Sequence, residues 1–257
     1  MVLLRWLRRR RLRRQPFPPT WEAVLRNHFS QWMSLSEPER GRLRQQIQFF
    51  VAERYWEGCA GFALAEWMKV LIAGQASLLL LGRPEDDFDN VTTVLVYPDG
   101  YFAAPQRAPL MGGVRVMDAG PTPVLGQAWE RGPVILSWRH ARLGAADAGD
   151  GENVVFHEFA HKLDMNNGLV DGTPRMDSRE QAQEWHAVMS AAFDRLRGEL
   201  AAGIRGPVRP YALTNPAEFF AVGTEVFFER PVELREWDEA LYGVLQRFYR
   251  QDPASRV

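Results

Sequence analysis

His157 and His161 stand four residues apart in the stretch NVVFHEFAHKLD, residues 153–164, and Glu158 follows the first of them. On a helix, residues four apart share a face and lie about 6 Å apart along the axis, so two imidazoles can aim at one point. Zinc takes tetrahedral nitrogen and oxygen donors at about 2.0–2.2 Å, and neutral imidazole suits it. Glu158 is one position round the helix, able to reach a water on such an ion without being a ligand. That is the place for a general base. Zinc lowers the pKa of its bound water towards about 7, and Glu158 can take the proton. In a chain of this composition the H-E-x-x-H pattern arises by chance on the order of 0.01 times. The competing reading is an ordinary polar helix face whose histidines bond to neighbours. The apolar flanks Val154, Val155, Phe156 and Phe159 favour the metal.

A catalytic zinc site needs a third protein ligand and an open position for water. Asp164 follows His161 by one turn, but its short arm suits it better as an acceptor for an imidazole N–H behind the ligands. His186 lies on an amphipathic segment and reads as a surface or packing residue. Glu218 and Glu225 fall two turns apart on one face of a very apolar helix, where a carboxylate is costly to bury without a partner or a metal. Glu218, beside the incoming loop, is the preferred ligand. Glu225 is left as a supporting residue behind the ligands or a structural one. Tyr211 lies seven residues before Glu218, in the loop feeding that helix. Its phenol could donate a hydrogen bond to the oxyanion formed when water attacks a carbonyl; simple packing is the alternative for a lone tyrosine in RPYAL.

The elements that must position these groups are mostly helical. TWEAVLRNHFSQWM (20–33) has helical apolar spacing. SEPERGRLRQQIQFFVAERY (36–55) opens with Ser36 as N-cap, Pro38 in the first turn and Glu39 at the capping-box position. LAEWMKVLIAGQASLLLLG (64–82) is apolar on most sides and belongs in the middle; its run from 70 to 82 is too short to span a membrane and carries Gln75. Strand character follows in NVTTVLVYPDGYFA, VRVMDAG, TPVLGQAW and GPVILSWR, between Gly and Pro punctuation. GPVILSW, just before the motif helix, is a candidate to pair with an extended peptide. RLGAADAGDGEN reads as a loop, and the motif helix stops at NNG. A helix over 177–200 is capped by Asp177 with Glu180. Asn215 and Pro216 start the helix that carries Glu218, Pro231 closes it, and one last helix runs over 232–251. Helices, a small mixed sheet and helices again predict an α+β fold.

Bulk properties agree with one globular domain over 20–257. Of 257 residues, 46% are apolar and 25% charged, enough chain for a real core. The net charge of -1 gives no global signal for nucleic acid. The single cysteine, Cys59, excludes an internal disulfide framework and fits a reducing compartment. Residues 1–19 differ. Seven arginines fall in the first fourteen positions with no acid until Glu22. The apolar piece precedes the charges, which is the wrong order for a secretory signal. The stretch reads as a flexible basic tail or, using Leu3, Leu4, Trp6 and Leu7 with the arginines, as a contact for anionic lipid, an acidic partner or nucleic acid.

VVFHEFAHKLD, YALTNPAEFF and VLIAGQASLLLLG, supported by VYPDGYF and GPVILSW, occur in an order that resembles the Mlc titration factor A (MtfA) peptidase family over residues 45 to 250. The resemblance implies a mainly helical zincin-like metallopeptidase fold, similar in its catalytic core to anthrax lethal factor. It places one zinc ion on His157, His161 and Glu218, the catalytic glutamate on Glu158 and the active-site tyrosine on Tyr211. It also implies a cytoplasmic protein with aminopeptidase-like activity on peptides and binding to a transcriptional repressor of sugar uptake. The Arg-rich start departs from that pattern. The thermolysin-like E-x-x-x-D arrangement is absent, since Val222 stands four after Glu218. Two functions follow as expectations: a zinc peptidase, or a repressor-binding regulator in which zinc is structural. A metal-free helical scaffold is the third reading.

Overall fold

The computed structural model describes the backbone of residues 2–102, 123–124, 126–128 and 132–257, and the side chains of 6–100 and 132–257. Its helices are α1 (Val2–Leu12), α2 (Pro19–His28), α3 (Glu37–Glu53), α4 (Glu66–Leu79), α5 (Trp138–Ala146), α6 (Val154–Asp164), α7 (Arg179–Ala201), α8 (Pro216–Glu229), α9 (Pro231–Trp237) and α10 (Glu239–Tyr249). Its strands are β1 (Tyr55–Gly58), β2 (Thr93–Tyr97), β3 (Tyr101–Phe102), β4 (Pro123–Val124), β5 (Gly126–Ala128) and β6 (Val134–Ser137). This is a mainly helical α+β architecture with a small mixed sheet, as expected for a zincin-like metallopeptidase. The VRVMDAG strand candidate lies outside the described residues.

The main sheet has the order β1-β2-β6-β5. β1, β2 and β6 run parallel, and β5 runs antiparallel to β6. Alternate side chains of β2, Val94 and Val96, and of β6, Val134 and Leu136, are fully buried. β6 is paired on both sides. GPVILSW therefore has no free edge to offer a peptide, contrary to the expectation; on that side β5 is the outermost described strand.

Helix α4 is the centre of the core, with every residue from Val70 to Leu79 buried. It packs against α2, α3, α5 and α6. The motif helix α6 lies between the β5–β6 side of the sheet and α8, and all its residues from Val155 to Asp164 are buried. An aromatic cluster of Phe50, Phe88 and Phe159, with ring centroids 4.9–6.4 Å apart, closes the other end of that layer.

Local chemistry explains where the elements end. Ser36 and Glu39 form the capping box of α3, the Ser36 N–H donating to Glu39 Oε2 at 2.8 Å. The first helix of the folded part stops at His28, because Phe29 is extended (φ -117°, ψ 98°) and buries its ring; Ser30–Ser34 continue as a 3₁₀ turn. Tyr55 leaves the helix to begin β1. Ser137 ends β6 and caps α5, a helix where the sequence reads strand and then loop. Ser178, not Asp177, caps α7, its hydroxyl accepting from Gln181 N. The last helix is two: Asp238 is extended and its carboxylate caps α10 through the Leu241 N–H at 2.8 Å. The arginine-rich start, expected as a loose tail, includes helix α1, which is tied to α3 because Arg9 pairs with Glu53 at 2.7 Å and 2.9 Å.

Candidate metal centre

Asn153 sets the start of the motif helix. Its side-chain oxygen accepts the N–H groups of Val155 and Phe156, both at 3.0 Å, satisfying two of the donors that a helix start leaves open. One turn later His157 and His161 project from the same face, 8% and 9% exposed, with ring centroids 4.8 Å apart. Helix α8 crosses in front of them. Asn215 caps it, accepting the Glu218 N–H at 2.9 Å, with Pro216 at the first helical position. That cap puts Glu218 in the first turn, facing α6.

Three donor atoms converge. His157 Nε2 and His161 Nε2 lie 3.2 Å apart, and Glu218 Oε2 lies 2.9 Å from the first and 3.5 Å from the second. Among the described residues this is the one group of three or more such side chains close enough to hold a metal ion. A tetrahedral ion at about 2.0–2.1 Å from each donor keeps its donors roughly 3.3 Å apart, which matches these spacings. Glu218 Oε2 is also buried, with no polar partner besides the two imidazole nitrogens. An orphaned carboxylate oxygen facing two imidazole nitrogens fits a cation. Burial alone would strip the proton from His157, but the carboxylates of Glu218 and Glu225 on either side of its ring push its pKa up to about 10. Burial alone would likewise raise Glu218, yet the two imidazoles hold it well below the usual carboxylate range. Positive charge is strongly favoured at this point.

Glu158 is 5% exposed, and burial pushes its carboxyl up, against the opposing pull of His157 and His161. Tyr211, in the 3₁₀ turn Pro210–Thr214, is 51% exposed, its ring centroid 6.0 Å from that of His157. Partial burial and then the charges of Glu218 and Glu158 raise its phenol to about 12, so it stays a hydrogen-bond donor at neutral pH. His157, His161 and Glu218 converge on one spot, and the Tyr211 ring stands beside His157.

Behind the donors sits a carboxylate with its bonding capacity filled. Glu225 Oε1 accepts from His157 Nδ1 at 2.7 Å and from Arg209 Nη2 at 2.7 Å. Glu225 Oε2 accepts from the Asn153 N–H at 2.6 Å and Arg209 Nη1 at 3.1 Å. It fixes the His157 tautomer so that Nε2 faces the site. Asp164 was expected to serve an imidazole N–H; instead its Oδ2 accepts the Gly172 N–H at 2.9 Å, and burial raises its pKa to about 6. Gly172 has φ +77°, and a Cβ there would meet the Pro216 carbonyl at 2.3 Å. Asp164 therefore ties the loop after α6 to the start of α8. His186 stays on α7, where its Nδ1 is 3.3 Å from the Ser190 hydroxyl.

Sequence reasoning missed Arg209, Asn153 and Lys162. Asn153 carried a usable signal, being a cap residue directly before the motif helix. Its amide also donates to Gln75 Oε1 and Glu229 Oε1, both at 3.0 Å. Arg209 stands two residues before Tyr211, but nothing local announces its partner. Lys162 is fully buried, its ammonium donating to the Gly132 carbonyl at 3.0 Å. Burial pushes its pKa down to about 8, against the pull of Glu158.

The comparisons with known proteins extend along nearly the whole chain. A family model described as glucose-regulated metallo-peptidase M90 matches residues 3–250. The Synechocystis protein slr2042 is 35% identical over 251 residues, covering 96% of this chain and 90% of that protein. Mlc titration factor A of Yersinia pestis (strain Pestoides F) is 33% identical over 228 residues, covering 87% of this chain and 82% of its own length. The protein of the same name from Yersinia pseudotuberculosis matches with the same identity and coverage.

Proposed function

The chain belongs to the glucose-regulated metallo-peptidase M90 family, and on that premise we propose that it is a zinc-dependent peptidase of gluzincin type, aminopeptidase-like and cytoplasmic. His157, His161 and Glu218 would hold one zinc ion. The convergence of their three donor atoms within 3.5 Å, with Glu218 Oε2 otherwise unbonded, carries the reading. Zinc, when bound, supplies a Lewis acid that eases deprotonation of water and polarises a peptide carbonyl. Glu158 takes the proton from the attacking water and delivers it to the leaving amine. The Tyr211 phenol donates to the carbonyl oxygen as it gains charge. Glu225, held by Arg209, keeps the His157 ring pointed at the site.

Substituting Glu158→Gln tests this directly. The variant should retain about one zinc per chain by elemental analysis and lose hydrolysis of a peptide that the parent cleaves. Cleavage at the parental rate would falsify the peptidase reading.

A second reading rests on the name of the Yersinia relatives, Mlc titration factor A. It makes this chain a regulator that binds a transcriptional repressor of sugar uptake, with the metal serving shape. Under that reading the Glu158→Gln variant still captures the repressor as well as the parent does.

A further inference from the structure

Helix α1 has two faces. One is fully engaged with the body of the protein. Arg9 pairs with Glu53 and Glu85, Arg13 donates to Glu85 at 3.3 Å, and Arg8 donates to the Ala52 carbonyl. The guanidinium groups of Arg9 and Arg13 also lie over the Phe49 ring, at 5.0 and 5.6 Å from its centroid. At about 100° per residue, these three positions fall on one arc of the helix. Trp6, Leu7, Arg10 and Arg11 fall on the remaining arc, and Arg14 continues it in the turn after α1. All five side chains are exposed, Trp6 by 51% and Leu7 by 47%, and none pairs with an acid among the described residues. The Arg10 guanidinium lies over the Trp6 ring at 5.3 Å.

We propose that this outward arc of α1 docks on an anionic lipid bilayer. Three arginines without acidic partners meet the headgroup phosphates, and Trp6 and Leu7 enter the interfacial layer, which is the chemistry of an interfacial amphipathic helix. Charge placement favours a flat anionic surface. Seven of the 31 Lys and Arg residues lie in the first fourteen positions, while all 32 acids lie beyond them, so the rest of the chain is markedly acidic. A nucleic acid long enough to wrap the molecule would meet that acidic body and would leave Leu7 without an apolar environment. A bilayer meets α1 alone and keeps the acidic body turned away. The arginines that hold α1 to the body, Arg8, Arg9 and Arg13, are not those that would bind lipid. No described helix is long and apolar enough to cross the membrane, so contact would be with its surface.

Sedimentation of the full chain with vesicles tests the proposal at about 0.15 M salt. The chain should bind phosphatidylcholine vesicles that contain roughly a third phosphatidylglycerol, more weakly as salt rises, and should leave pure phosphatidylcholine vesicles in the supernatant. Replacing Arg10, Arg11 and Arg14 together by glutamine should weaken binding about a hundredfold, with melting temperature unchanged because Arg9 and Arg13 remain. Trp6→Ala, which keeps every arginine, should weaken it about tenfold. The proposal falls if neutral vesicles bind equally well, if the triple variant binds like the parent, or if the parent stays unbound on anionic vesicles. It also falls if single-stranded RNA or polyglutamate binds more tightly than the vesicles do.

Discussion

Glu218 and Glu225 sit on one stripe of α8, two turns apart, and live in opposite circumstances. Glu225 has four donors on its two oxygens: a ring nitrogen, a backbone N–H and two guanidinium nitrogens. Glu218 keeps one buried oxygen that nothing donates to, although two imidazole nitrogens lie within 3.5 Å of it. Both are acids in an apolar helix, and composition cannot tell them apart. The difference is spare bonding capacity. A carboxylate whose lone pairs are all used can orient a ligand; one with an aligned, unused lone pair can be a ligand.

Breaking Glu218 should have the largest effect. Glu218→Ala should leave the chain without stoichiometric metal and without hydrolysis, as read by elemental analysis and peptide cleavage. If that variant keeps its metal while Glu225→Ala loses it, the assignment of the two roles is reversed. Tyr211→Phe comes next: kcat should fall on the order of a hundredfold with metal content unchanged. A loss of melting temperature alone would make the tyrosine a packing residue. Glu225→Gln keeps an acceptor but removes the charge, and metal affinity should weaken by roughly 10- to 100-fold in a chelator competition. An unchanged affinity would show that the His157 contact is ornamental.

The third acid of the same stripe, Glu229, sharpens the comparison. Burial above all, and then the charges of Asp150 and Glu225 against a hydrogen bond from Asn153, push its carboxyl up from 4.5 to about 9. The folded chain therefore keeps a proton that the unfolded chain has lost across that window. Stability at Glu229 is undiminished below about pH 4.5 and falls as pH rises towards 9. Glu229→Gln, which mimics the protonated form, should flatten that slope. In urea melts of metal-free protein the variant should gain on the order of 3 kcal/mol over the parent between pH 5.5 and pH 8. Parallel slopes would sink this prediction.

The parts of the site that sequence revealed are those carried by local rules. A four-residue spacing puts His157 and His161 on one face, and Asn215–Pro216 announces the helix start beside Glu218. The apolar run of α4 also states its own burial. What stayed hidden depends on distant polar partners or on short elements. Arg209 acquires meaning only when the chain returns Glu225 to it. Asp164 looks like an acceptor for histidine until Gly172 folds back on it. The helical pattern of α3 runs on through Tyr55 and conceals β1, whose identity comes from pairing with β2. WRHARLGAA is too short and glycine-interrupted to reveal α5, which exists because Ser137 caps it and Trp138, Ala141 and Ala145 are buried.

Gln75 interrupts the fully buried run of α4, and its amide is used in full. Nε2 donates to the Leu71 and Ala141 carbonyls, and Oε1 accepts from Asn153 Nδ2. The last two partners lie 66 and 78 residues downstream. A ribosome adding about 5–20 residues per second leaves this greasy segment, with its amide partly unclaimed, waiting for several seconds. Until Asn153 is made, the Gln75 side-chain oxygen lacks the donor it has in the fold. Synthesis speed between codons 75 and 153, or a chaperone covering that interval, should govern how much of this protein reaches the native state.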